Sequence, residues 1–143
     1  MKRKYLLIGA CAVVAVAAYV TQRPAPVGEA EQSAPIEGNA MVAIQMPPIE
    51  ENAALGQRIF ETACAACHGS NAVGVEGAGP PLIHVIYEPS HHADESFQRA
   101  VAMGVRSHHW QFGDMPPVEG LTRGDVAMVI DYIREVQRAN GIN

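Results

Sequence analysis

Residues 61–70 read ETACAACHGS, with Cys64 and Cys67 three positions apart and His68 directly after the second thiol. Three chemistries use such a triplet: a redox dithiol, one half of a zinc site, and an attachment point for haem. A thioredoxin-like dithiol needs a strand before it and a sheet around it. No stretch of this chain alternates apolar and polar residues long enough to make a convincing strand. A structural zinc site needs four ligands, typically with a second pair at close spacing. The only other cysteine, Cys11, lies far upstream, and His84, His91, His92, His108 and His109 do not form a standard second pair.

The rest of the chain supplies a context for the third chemistry. Lys2, Arg3 and Lys4 precede an unbroken apolar run from Leu6 to Val20. A basic start followed by such a run reads as a secretory signal or an uncleaved anchor, with the basic end held in the cytoplasm and the remainder exported. As a helix the run would be roughly 23 Å long, short for a hydrocarbon core of about 30 Å. A small-x-small signature, Ala15-Val16-Ala17, lies inside the run, and no clean cleavage site follows it. That favours a retained anchor over residues 1–21. Lipidation at Cys11 is disfavoured, because the apolar run continues well past it; the simpler reading is a small apolar residue in a membrane helix. Residues 22–51 are rich in Pro, Ala, Gln and Glu without sustained periodicity and read as a tether. The folded domain is then residues 52–143. A domain of that size buries only a modest core, which a covalently held prosthetic group would help to fill.

Charge divides at the same boundary. From Glu50 onward there are twelve Asp and Glu, six Arg and no Lys, a formal net of −6. This balance argues against nucleic acid and for partners with basic docking patches.

Periodicity predicts an all-α domain of three main helices joined by Gly- and Pro-rich links. The first covers about Asn52–Ala66, with Asn52 as cap and Leu55, Ile59 and Ala63 on one face. Gly56 and Phe60 form a neighbouring pair, and Gly56 suits a close helix crossing. The second covers about His92–Met103, with Phe97, Ala100 and Val101 inward. The third opens at Thr122-Arg-Gly-Asp125, a capping-box pattern. It continues through Val126, Val129, Ile130, Ile133 and Val136, and ends at Gly141.

On a helical turn, Cys64 and Cys67 project to one side and can form thioethers with two vinyl groups of a porphyrin. His68 then presents its imidazole to the iron. C-x-x-C-H is the attachment signature of haem c, and export consumes both domain cysteines in one purpose. For the other axial position, Met103 reads as helix core. Met115 lies in Gly113-Asp-Met-Pro-Pro117, where two prolines stiffen the backbone and preset the thioether. Met115 is therefore the expected second metal ligand, beside His68.

The phrases CAACHG (64–69), GAGPPL (77–82) and GDMPPVEGLTRGDVAMVIDYIREVQ (113–137) resemble a class I c-type cytochrome, of the short membrane-tethered bacterial kind. The resemblance covers about Asn52–Asn143. It implies the class I fold wrapped round one covalent haem, with the N- and C-terminal helices crossing near Gly56, Phe60 and Tyr132. It further implies that the Pro80 carbonyl accepts from His68 Nδ1, that Leu82 packs on the haem, and that Trp110 belongs to the haem environment, either as an N–H donor near the propionates or as core. The two histidine pairs depart from the family pattern. They read as a solvated surface rather than a second metal site such as copper, since adjacent histidines often point apart. His84 reads as a loop residue near the haem edge.

These readings converge on a monohaem electron carrier, not an enzyme, in the bacterial periplasm and tied to the inner membrane. It would pass single electrons between respiratory partners. A haem-bearing subunit of a membrane dehydrogenase or oxidase complex, and a haem sensor or catalyst with a labile sixth ligand, remain as alternatives.

Overall fold

A computed structural model describes residues 39–143 of the chain. The expected anchor at 1–21, Cys11, and most of the expected tether lie outside the described residues.

Four helices follow in order: α1 at Glu51–Ala63, α2 at Ala65–His68, α3 at Asp94–Met103 and α4 at Arg123–Ala139. Short 3-10 turns occupy Ser70–Ala72 and Val85–Tyr87. Among the described residues there is no strand, only isolated bridges pairing Ala40 with Val75, Val75 with Gly79, and Val105 with Met115. The all-α expectation holds, with one single-turn helix added to the three foreseen.

α4 is the axis of the domain. Thr122 Oγ1 accepts from the Asp125 N–H and the Asp125 carboxylate accepts from the Thr122 N–H, so the capping box is closed as the sequence implies. Its apolar stripe of Val126, Val129, Ile130, Ile133 and Val136 is buried, together with Tyr132. After Asn140, Gly141 takes φ +75°, the left-handed conformation that stops a helix at glycine.

α1 crosses α4 backbone to backbone. A Cβ on Gly56 would fall 1.8 Å from the Met128 carbonyl oxygen, so only glycine fits. One turn on, the Phe60 and Tyr132 rings pack with centroids 5.7 Å apart. The crossing expected at Gly56, Phe60 and Tyr132 is present. The face of α1 differs from the expectation, however. Ala53, Gly56 and Phe60 are buried, whereas Leu55 is 44% exposed. The helix is turned so that Gly56 faces the Met128 backbone, which carries its neighbour Leu55 outward. Asn52 is not the cap either; Glu50 holds that position without a side-chain bond. α1 stops at Ala63 instead of continuing to Ala66, because Cys64 leaves helical geometry (φ −122°, ψ −32°) before α2 resumes.

Arg134 and Gln137, both buried on α4, hold the long link between α2 and α3. Arg134 Nε donates to Asp94 Oδ1 at 2.9 Å, and its terminal nitrogens donate to the Tyr87 and His92 carbonyls and to Gln137 Oε1. Its guanidinium also lies 4.9 Å from the Phe97 ring centroid. Gln137 Nε2 donates to the Leu82 carbonyl at 2.8 Å and the Tyr87 carbonyl at 3.1 Å. Backbone carbonyls in a link without regular structure need donors when buried, and these two side chains supply them.

The packed unit begins before Asn52. Met41 N–H donates to the Val73 carbonyl at 3.1 Å. Asn140 then treats Gln45 as a strand partner would: its Oδ1 accepts from Gln45 N–H at 2.7 Å and its Nδ2 donates to the Gln45 carbonyl at 2.8 Å. Ile44, Met46 and Ile49 pack against the core. This part of the expected 22–51 tether is a strap laid on the domain. Its alternate apolar residues find a surface, which a composition reading of the segment does not reveal.

Candidate functional site

The break at Cys64 determines where the C-x-x-C-H residues point. Cys64 N–H still bonds to the Phe60 carbonyl at 2.8 Å, and Cys67 and His68 N–H groups turn back to the Cys64 carbonyl. Cys64, Cys67 and His68 all line one cleft of about 710 Å³. No disulfide joins Cys64 to Cys67. Burial, reinforced by Cys67 and Glu61, pushes the Cys64 thiol up to about 11, so it stays protonated at neutral pH.

His68 Nδ1 lies 2.9 Å from the Pro80 carbonyl oxygen. A carbonyl only accepts, so the proton is on Nδ1 and Nε2 keeps a bare lone pair. Burial lowers the imidazole pKa, against the opposing pull of Pro80, and keeps the ring neutral. This is the arrangement that metal-binding histidines use: one nitrogen fixed by a carbonyl, the other offered to the ion. The loop that brings Pro80 here depends on Gly79, whose Cβ would meet the Cys67 carbonyl oxygen at 2.6 Å. The bond foreseen for Pro80 is present, and Leu82, 8% exposed, also lines the cleft.

Met115 reaches the same cleft from the loop before α4. Its backbone is held more firmly than the two prolines alone would hold it. Val105 N–H donates to the Met115 carbonyl and Met115 N–H to the Val105 carbonyl, each at 2.9 Å. Gly104 permits this approach: it takes φ +75°, and a Cβ there would sit 2.5 Å from the Met115 carbonyl oxygen. Asp114 Oδ1 accepts from Ser107 N–H at 2.8 Å and ties the loop a second time. Met103, expected as core, is 62% exposed at the end of α3 and borders the cleft. It follows Phe97, Ala100 and Val101 along α3, and these three are half-buried cleft residues rather than fully enclosed core.

Trp110 lines the cleft too, and its Nε1 is buried with no hydrogen-bond partner among the described residues. The Tyr87 hydroxyl approaches it, short of a well-formed bond, so the indole N–H has room for a better acceptor. His84 does not line the cleft. It stands behind Trp110, edge-on at 5.3 Å between centroids, and its Nδ1 accepts from Ile86 N–H. The other four histidines, read from the sequence as two pairs on a solvated surface, gather at the cleft. His91, His92, His108 and His109 all line it, with ring centroids of His108 and His109 only 4.3 Å apart.

The donor set fits a flat, largely apolar group that carries anionic arms and a metal at its centre. Two thiols stand beside a tautomerically fixed imidazole, apolar walls follow, and an unpartnered N–H waits for an acceptor. A family model described as Cytochrome c matches residues 53–137, more than half of the chain. The chain belongs to the cytochrome c family. No curated protein matched it. The class I c-type resemblance and the helical fold agree with this membership, and a cytochrome c carries haem c covalently. This cytochrome c is therefore a haem-binding electron-transfer protein. Sequence reasoning missed Arg134 and Gln137. The signal was available: positions 134 and 137 continue the spacing of Ile130 and Ile133, so polar residues there fall on the buried stripe.

Proposed function

We propose that this cytochrome c is a monohaem electron carrier in which Cys64 and Cys67 would hold the porphyrin by thioethers and His68 Nε2 and Met115 Sδ would hold its iron. Haem supplies a one-electron iron couple, and histidine–methionine ligation places its potential high. The chain's own residues do the rest. Pro80 fixes the His68 tautomer and makes Nε2 the better donor. The paired bonds between Val105 and Met115 hold the thioether donor in advance, so binding costs it little entropy. Trp110 Nε1 would offer its buried N–H to a propionate. Leu82 and the apolar stripe of α4 exclude water from the cleft.

The observation that carries this reading is the Val105–Met115 pairing, which commits Met115 to the cleft that His68 faces. The test is a visible spectrum of the oxidised protein. A weak sulfur-to-iron band at the red end is expected, lost in Met115→Ala and kept in Met103→Ala. Its survival in Met115→Ala would overturn the assignment.

The cellular setting belongs to the same proposal. The basic and apolar N-terminal segment directs export to the bacterial periplasm and tethers the domain to the inner membrane, which raises its effective concentration near donor and acceptor. The acidic domain docks basic patches on both. Fractionation tests this: recovery in the soluble periplasmic fraction with a new N-terminus beyond Val20 would rule the tether out.

A further inference from the structure

Two pairs of adjacent histidines, separated in sequence, meet at one place. His91 and His92 precede α3, and His108 and His109 lie in the loop that follows it. One ligating atom each from His91, His92 and His109 lies within 4.8 Å of the other two. His91 Nε2 and His109 Nε2 are 3.4 Å apart. Two nitrogens bound to one tetrahedral ion at about 2.0–2.1 Å stand about 3.3–3.4 Å from each other. The observed separation, within hydrogen-bond range for one tautomer pair, equals that of a chelating pair.

The third imidazole is already oriented. His92 Nδ1 lies 2.6 Å from the Ile86 carbonyl oxygen, so Nδ1 carries the proton and Nε2 is free to ligate. The His92 backbone is fixed as well, since its carbonyl accepts from the Arg134 guanidinium. The charge on that guanidinium is offset by Asp94 at 2.9 Å. The rings surround a common centre: His91 and His92 centroids are 4.7 Å apart, His91 and His109 5.3 Å, and His92 and His109 5.2 Å.

We propose that His91, His92 and His109 bind a divalent transition-metal ion of the imidazole-preferring class, copper(II) or zinc, at the rim of the haem cleft. Three neutral imidazoles with one position left for water form a set that both ions accept. His108 stands outside the set: only His91, His92 and His109 bring ligating atoms within 4.8 Å of one another. The site is independent of which sulfur binds the haem iron.

The test uses the full-length, haem-loaded protein. Calorimetric titration with zinc should give one ion per chain. Copper(II) added in its place should show nitrogen hyperfine couplings from imidazole in its electron paramagnetic resonance spectrum. His91→Ala and His109→Ala should each weaken binding about tenfold or more, and His108→Ala less than about threefold. Zinc should raise the melting temperature of the wild type but not that of the His91→Ala/His109→Ala double variant, since only a bound ion stabilises. The haem absorption should not change on metal addition, which separates this site from the iron's own ligands. Equal zinc affinity in the wild type and the double variant, or bound copper without imidazole couplings, would overturn the proposal.

Discussion

Gly56 on α1 and Met128 on α4 approach so closely that a methyl group on the first would stand 1.8 Å from the carbonyl oxygen of the second. The two helices that frame the haem cleft therefore meet through their backbones. Intrinsic helix propensity favours alanine over glycine by about 1 kcal/mol. The contact reverses that sign. Gly56→Ala must spread the crossing, with overpacking costs of about 1–3 kcal/mol or more. For a domain of this size that lowers the melting temperature by roughly 4–8 °C per kcal/mol. A thermal melt that finds Gly56→Ala more stable than the wild type would show that the crossing is not as described.

Gly104 performs a comparable service for Met115. Its φ of +75° and its distance from the Met115 carbonyl oxygen, 2.5 Å for a Cβ, both exclude a side chain. Gly104→Ala should break the paired bonds with Val105 and release the ligand loop. The expected outcome is a weakened red-end sulfur-to-iron band and faster carbon monoxide binding to the reduced protein, with the covalent haem retained. An unchanged band and unchanged binding rate would mean that Met115 is held by its prolines alone.

Arg134 makes a fork that no other side chain reproduces. It is buried, bonded to Asp94, and donates to the carbonyls of Tyr87 and His92. Hydrogen bonds of this charged kind contribute about 1.5–3 kcal/mol. Arg134→Ala should cost at least that much in urea unfolding, and Arg134→Lys should recover less than half, because an ammonium cannot span the same acceptors. The His91–His92 segment loses an anchor in both variants, so zinc affinity should fall with stability. Full stability in Arg134→Lys would show that charge alone, not the fork, is what matters.

The capping box carries a pH signature. The Thr122 hydroxyl, followed by the Thr122 backbone N–H, holds the Asp125 carboxyl below its ordinary range. A carboxylate depressed by folding stabilises the fold fully above its unfolded pKa of about 3.9, and the contribution is lost as pH falls through the folded value. Asp125→Ala should therefore be less stable than the wild type at pH 7, with the gap closing below about pH 4. Chemical denaturation at pH 7 and pH 3 measures it. A gap that stays constant would assign the role of Asp125 to packing.

Residues whose roles are local were the legible ones. The spacing of Cys64, Cys67 and His68, the prolines beside Met115, and the Thr122–Asp125 box each declare themselves within a few positions. The crossing was also anticipated, Gly56 from its place within a helix and its partners Phe60 and Tyr132 from the class I resemblance. What stayed hidden depends on partners distant in sequence. Leu55 looked inward by hydrophobicity, but the orientation of α1 is set by the Gly56 contact with Met128, a partner far along the chain. Arg134 and Gln137 sit on an apolar stripe because carbonyls some fifty residues upstream need donors, as Gln137 does for Leu82 and Tyr87. The four histidines seemed scattered because two loops must fold before they meet. The pairing of Val105 with Met115 is likewise a product of the turn between them.

The strap from Ala40 to Ile49 determines how the domain would bear a mechanical load. Tension arriving along the chain from its N-terminal side meets the Met41–Val73 bond first, then the double grip of Asn140 on Gln45. Val73 is next to Gly74, whose N–H donates to the carbonyl of His68 at 2.7 Å. A pull is thus resisted at two points before it reaches the first turn of α1, and the nearer point lies one residue from a bond to the His68 carbonyl.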